Sequence, residues 1–203
     1  MINLEVDNPS LLHAMESIQQ DLVKTDPSLA EFLVSLKKAH IILLVLRVEE
    51  EEMENARIIF DTVVKEKIVN HFNEDVFDVQ FEGVGAFEEQ IVFMKPISGV
   101  ERMKYMNQEL LKAFTAAGYN CDPVFTPHVT LVKQKFGKGK EMGKIPSDWL
   151  KKFKNKYFGI QKICGIELLS MSKPMTEEGY FASKGAVWFI GKCEKGDHGE
   201  NME

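Results

Sequence analysis

The sequence predicts a mixed α+β fold made of two similar halves. Two apolar, β-branched runs, Ala39 to Val48 and Pro127 to Lys133, each carry a histidine near their start. Each run follows a strand and an amphipathic helix, so the order strand, helix, histidine-bearing strand occurs twice. No short-period repeat and no linker separates the halves into independent units.

The elements follow in chain order. Leu4-Glu5-Val6 reads as a short strand, and Asn8-Pro9-Ser10 supplies a start signal for a helix to about Lys24, with Leu12, Met15, Ile18 and Leu22 on one face. A second short helical stretch covers Leu29 to Leu36. The run Ala39 to Val48 predicts a strand buried on both faces. Glu50 to about Phe72 has helical spacing through Met53, Ala56, Ile59, Phe60, Val63 and Val64. Strands at Val76 to Phe81 and Gln90 to Lys95 then flank a turn-rich stretch, Glu82 to Glu89. A helix from about Gly99 to Ala117 ends at Gly118, a residue suited to cap it. After the second histidine strand, a lysine- and glycine-rich loop (134–144) leads to a short helix near Trp149, and two last strands are expected at Ile163 to Ser170 and Tyr180 to Ile190. The chain thus divides into one bilobal domain, residues 1–192, and a polar, disordered tail, residues 193–203.

Composition narrows the function. A chain of 203 residues with 44% hydrophobic content buries a core without staples, and Cys121, Cys164 and Cys193 suggest neither a disulfide framework nor a zinc site. No basic, apolar leader and no membrane-length apolar segment occurs, so an intracellular protein, cytoplasmic or nuclear and not bound to a membrane, is expected. A net charge of −6 excludes a general nucleic-acid coat protein. The charge is unevenly spread, however: residues 133–156 hold nine lysines against Glu141 and Asp148. That run is either a solvated face or a local attraction for phosphate.

Alternate side chains of a strand share a face, so His128 and Thr130 project together. An imidazole exchanges protons near neutrality, and a hydroxyl two residues on donates to a phosphate oxygen. If His40 faces His128 from the other half, one imidazole acts as general base and the other as general acid on a phosphodiester, with no metal and no cofactor. His13, His71 and His198 fall on a helix, near a helix end and in the tail, where surface roles suffice. Phe87, Tyr180 and Phe181 are either core residues or stacking platforms for a base. Lys133 is either a solvated lysine or a point charge for a phosphate.

Phe125-Thr126-Pro127-His128-Val129-Thr130-Leu131 resembles the second His-x-Thr/Ser-hydrophobic signature of the 2H phosphoesterase superfamily, which includes 2′,5′ RNA ligase-like proteins and cyclic phosphodiesterases. Phe81 to Phe87 with Gln90 to Lys95, and Glu167 to Met171 with Gly179-Tyr180-Phe181, are similar to segments of the nucleotide-binding domain of A-kinase anchoring proteins. The resemblance covers roughly residues 2–192. It implies a bilobal, pseudo-twofold α+β fold in which two antiparallel sheets face a central cleft, helices lie outside, and both histidines lie within. The candidate catalytic residues are then His40, His128 and Thr130, and the candidate nucleotide contacts are at positions Ile42, Phe87, Lys133 and Tyr180. The implied ligand is an AMP- or CMP-like nucleotide or a short RNA, bound by a monomer.

Two departures matter. The first signature expects a hydroxyl where His40-Ile41-Ile42 supplies an isoleucine, which makes no hydrogen bond to a phosphate. The alternative function is therefore a catalytically impaired nucleotide-binding or sensing module, with His40 as a packed core residue. Anchoring relatives also carry a long amphipathic helix after the last strand for the regulatory subunit of protein kinase A. Gly191 to Glu203 is short and lacks that apolar spacing, so no kinase anchoring by this route is expected.

Overall fold

The structure, a computed structural model, describes residues 1–73, 76–88, 91–134, 142–171, 176 and 179–189. An eight-stranded sheet forms its centre, in the order β10-β9-β1-β2-β7-β5-β4-β8 with all pairings antiparallel. One half contains β1 (Ile2–Glu5), β2 (His40–Leu44), β9 (Gly165–Ser170) and β10 (Ala182–Trp188). The other contains β4 (Phe77–Phe87), β5 (Ile91–Pro96), β7 (Val129–Lys133) and β8 (Tyr157–Ile163). A two-stranded ribbon, β3 (Leu46–Arg47) with β6 (Asn120–Cys121), lies apart. The expected pair of sheets is thus present as two four-stranded halves, joined edge to edge through Ile41 and Val129.

The two halves share a motif. In the first, β1 leads through helix α1 (Pro9–Thr25) to β2, beside which it pairs; in the second, β5 leads through α3 (Val100–Ala116) to β7 in the same way. Asn8 starts α1 by accepting from the amides of Ser10 and Leu11 at 3.0 and 3.2 Å, with Pro9 in the first turn. Leu11, Met15, Ile18 and Leu22 form its buried stripe. Gly118, at φ 89°, ends the second helix with its amide on the Thr115 carbonyl. The helices cross over: α1 packs on β8 and β7, whereas α3 packs on β2. Helix α2 (Met53–Val63) continues as a π-helical segment, Val64–Val69, against α3 and β10, and a short α4 (Ser147–Lys152) carries the buried Trp149.

Some expectations are corrected or refined by the structure. The run Ala39 to Val48 is not buried on both faces: it breaks at Val45 into β2 and β3, and in β2 His40 and Ile42 stay half-buried on the face opposite the buried Ile41 and Leu43. The stretch Glu82 to Phe87 is strand, not turn. Gly83, at φ 79°, forms a bulge there, and a side chain at that position would meet the Lys154 carbonyl oxygen at 2.4 Å. The short helical stretch expected at Leu29 to Leu36 is present as two 3-10 helices, Pro27–Phe32 and Leu36–Lys38. Cys121 is free, and Cys193 lies outside the described residues. The tail 193–203 and most of the lysine-rich loop lie outside the described residues. Among the described residues, no helix is long and apolar enough to cross a membrane.

Candidate functional site

The junction of the two halves builds the site. On β2, Ile41 and Leu43 are buried in the core, whereas His40 and Ile42 project to the other face and keep part of their surface exposed. On the second strand Val129 and Leu131 are buried, and His128 and Thr130 take the open face. Directly opposed residues of an antiparallel pair share a face. The pairing of Ile41 with Val129 therefore sets His40 across from Thr130 and Ile42 across from His128. These four side chains therefore share the open face of the sheet at the junction.

Buried amides hold the two strands from behind. Asn107 on α3 donates to the Leu43 carbonyl at 2.8 Å, and Gln19 on α1 donates to the Leu131 carbonyl at 2.9 Å. Leu43 and Leu131 each stand three residues after a histidine, so the two contacts are equivalent across the halves. Both amide side chains are almost fully buried.

Each imidazole is oriented in the same way. His40 Nδ1 lies 2.6 Å from the Lys38 carbonyl oxygen and His128 Nδ1 lies 2.7 Å from that of Thr126. A carbonyl only accepts, so each Nδ1 carries the proton and each Nε2 keeps its lone pair. Loss of solvation is the largest influence on His40, which protein atoms crowd despite its partial exposure; with the nearby charges of Lys133 and His128 it holds the ring at about 4, well below the usual histidine value. Desolvation also lowers His128, against the opposing effect of its bond to Thr126.

Aromatic rings bracket both histidines. Phe181 meets His40 edge-on at 5.5 Å between centroids. Phe87 and Phe93 stack on each other at 4.2 Å and approach His128 at 5.3 and 5.2 Å. Lys133 ends β7 beside Ile91 and influences His40 through its charge. Tyr180 stands further along the first half. Its hydroxyl accepts from Asn3 Nδ2 at 2.9 Å and donates to Glu167 at 3.2 Å, and burial pushes its ionisation up. The sequence reading did not select Phe93, Gln19 or Asn107, because their contacts depend on strand register and helix crossing.

A cavity of about 400 Å³ opens from the His128 side, lined by Ile42, Val45, Phe87, Val124, Phe125 and His128 among others. A larger one, about 640 Å³, lies between α1 and the turns after it and contains no histidine. Side-chain chemistry therefore selects the smaller cavity. Among the described residues, no group of three or more His, Cys, Asp or Glu side chains is placed to hold a metal ion.

An α+β sheet of two matching halves, with a histidine strand from each at the junction, defines the 2H phosphoesterase superfamily. Residues 1–189 match the family described as the AKAP7 2'5' RNA ligase-like domain, and the chain belongs to that family. Human A-kinase anchor protein 7 isoform gamma is 25% identical to it over 203 residues, covering 97% of this chain. The chain spans 58% of the length of that curated relative. E. coli LigT, solved in complex with 3'-AMP, superposes with a TM-score of 0.60 at 14% identity, over 94% of this chain and 98% of LigT. TT0787 of Thermus thermophilus gives a TM-score of 0.55 at 18% identity, over 95% of this chain and 99% of its own.

Proposed function

We propose that the cleft binds a nucleotide or short RNA phosphate and that the protein is a metal-free phosphodiesterase for 2′,5′-linked or cyclic phosphates. The observation that carries this reading is the matched orientation of the two imidazoles, each with Nδ1 tied to a backbone carbonyl and Nε2 left with a lone pair. His40, held at about 4, is neutral at physiological pH and serves as general base. His128 serves as general acid, protonated when the negative charge of a bound phosphate offsets its desolvation. Thr130, across from His40, donates to a phosphate oxygen, and Lys133 supplies a positive charge. That LigT has been solved with 3'-AMP and with ATP supports a nucleotide as the ligand class.

Ile42 favours a second reading, a nucleotide-binding or sensing module without turnover. It stands across from His128 where a hydroxyl would assist, and a branched alkyl group disfavours a charged oxygen beside it. Hydrolysis of 2′,5′-linked oligoadenylate and 2′,3′-cyclic nucleotides, with His128→Ala as control, together with calorimetry of AMP and CMP, separates the two. Turnover above the control supports the enzyme, binding without turnover supports the module, and neither supports a structural role.

A further inference from the structure

Tyr180 and Phe181 link the polar floor of the first half to the His40 ring. Across the strand pairs Asn3 stands opposite Ile42 and Glu167, and Glu5 stands opposite His40, so these side chains share one face of the sheet. The Tyr180 hydroxyl reaches that face, accepting from Asn3 Nδ2 at 2.9 Å and donating to Glu167 Oε2 at 3.2 Å. Asn3 is fully buried and Glu167 nearly so, which makes both bonds costly to lose. The Tyr180 amide donates to Thr176 Oγ1 at 3.2 Å, and the Tyr180 carbonyl accepts from the Thr176 amide at 2.9 Å. Tyr180 is thus held by its backbone and by its ring, and its phenol proton is already given to a carboxylate.

Phe181 follows directly. Its ring meets His40 edge-on at 5.5 Å and lies 5.7 Å from the Tyr180 ring, with the Lys38 ammonium 5.6 Å from its centre. Lys38 also supplies the carbonyl that holds His40 Nδ1 at 2.6 Å. One aromatic ring therefore braces both the imidazole and the residue that orients it. We propose that Tyr180 is a positioning residue for His40: anchored on Asn3 and Glu167, it holds Phe181 against the imidazole, which keeps the ring turned with Nε2 available to the substrate and shields it from water. The assignment rests on the reading of His40 as general base. The charged and titratable groups around this ring are Glu5 from β1, Lys38, and His128 and Lys133 from β7, and substitution at 180 or 181 removes none of them.

The test is nitrogen NMR of both histidines across pH in the full chain, for Tyr180→Phe, Phe181→Ala and the double variant. In wild type His40 titrates at about 4. Phe181→Ala admits water to the ring, and the His40 titration moves up by about one pH unit or more. Phe181→Tyr retains the ring and keeps the wild-type curve. Tyr180→Phe removes a single oxygen and moves His40 in the same direction as Phe181→Ala, while an unchanged His128 curve shows the sheet intact. The double variant matches Phe181→Ala alone, because Tyr180 acts through Phe181. With 2′,5′-linked oligoadenylate as substrate, Tyr180→Phe lowers kcat about tenfold or more and leaves KM within about twofold. An unmoved His40 in Tyr180→Phe, or shifts that add in the double variant, overturns the role of Tyr180. A fall in 3′-AMP affinity without movement of His40 overturns it too, and makes Tyr180 a ligand contact. Absence of both turnover and 3′-AMP binding in wild type overturns the nucleotide reading alone, and the His40 titrations still decide whether Tyr180 positions the ring.

Discussion

Ile41 pairs with Val129, and the register set by that contact crosses the two signatures. His40 stands opposite the hydroxyl of the other half, Thr130, and His128 stands opposite Ile42. The isoleucine in the first signature therefore alters the surroundings of the second histidine more than those of the first.

Replacing Ile42 with threonine puts a hydroxyl opposite His128. The Ile42→Thr protein is expected to bind phosphate more tightly or to turn over 2′,5′-linked adenylate about 10²-fold faster, the scale of one donor aimed at developing charge. Steady-state rates and phosphate calorimetry on both proteins measure this. If both quantities stay at the wild-type level, Ile42 is not the limiting residue.

Folding stability should carry the signature of His40. Its value falls from 6.5 in the unfolded chain to about 4 in the fold. Above pH 6.5 the ring is neutral in both states and contributes no pH dependence. Between 6.5 and 4 the unfolded chain binds a proton that the folded one refuses, so stability is lost as pH falls, by up to about 3 kcal/mol from this group. Thermal melting from pH 7 to 4.5 should show a shallower decline for His40→Gln than for wild type. Parallel curves would contradict a desolvated His40.

The amides behind the strands make a second stability prediction. Asn107→Ala leaves the buried Leu43 carbonyl without its 2.8 Å donor, at a cost of about 1–3 kcal/mol. Gln19→Ala removes the matching contact to Leu131 at 2.9 Å, where the Val34 amide still donates, and also the 2.8 Å bond to the Val34 carbonyl, so a loss of the same order is expected. Chemical denaturation of both variants measures it, and a neutral result for either would contradict its role behind the strand.

Much of the fold was legible because its signals are local. The cap at Asn8, the stripe through Met15, Ile18 and Leu22, and the Gly118 stop each lie within a few residues, although Leu11 and not the expected Leu12 begins the buried face. β8 was missed because Gly159 and the polar pair Gln161-Lys162 interrupt its apolar pattern; Gln161 is nonetheless buried, accepting from the Asp7 and Asn8 amides. The glycines of β4 read as turn residues, although Gly85 is small because the Phe93 ring passes 2.7 Å from where a side chain would begin. Within the candidate site, the two-residue alternation that groups His128 with Thr130 was visible in the sequence. The packing of Phe93 on His128 was not, since it arises from the pairing of distant strands.

Gly83→Ala tests the bulge in β4. At φ 79° the new methyl group is strained, and it would meet the Lys154 carbonyl oxygen at 2.4 Å. A loss of about 2 kcal/mol or more is expected in equilibrium unfolding. A neutral result would mean that the strand does not bend there.

The most direct measurement is nitrogen NMR of the imidazoles during titration with 3'-AMP. Without ligand, both rings should show the tautomer protonated on Nδ1. On titration, both Nε2 resonances should move along one binding curve, and both ionisations should shift upward as phosphate favours the charged rings. A response from one ring alone, or from neither while the nucleotide binds, would contradict the convergence of His40 and His128 on a single phosphate.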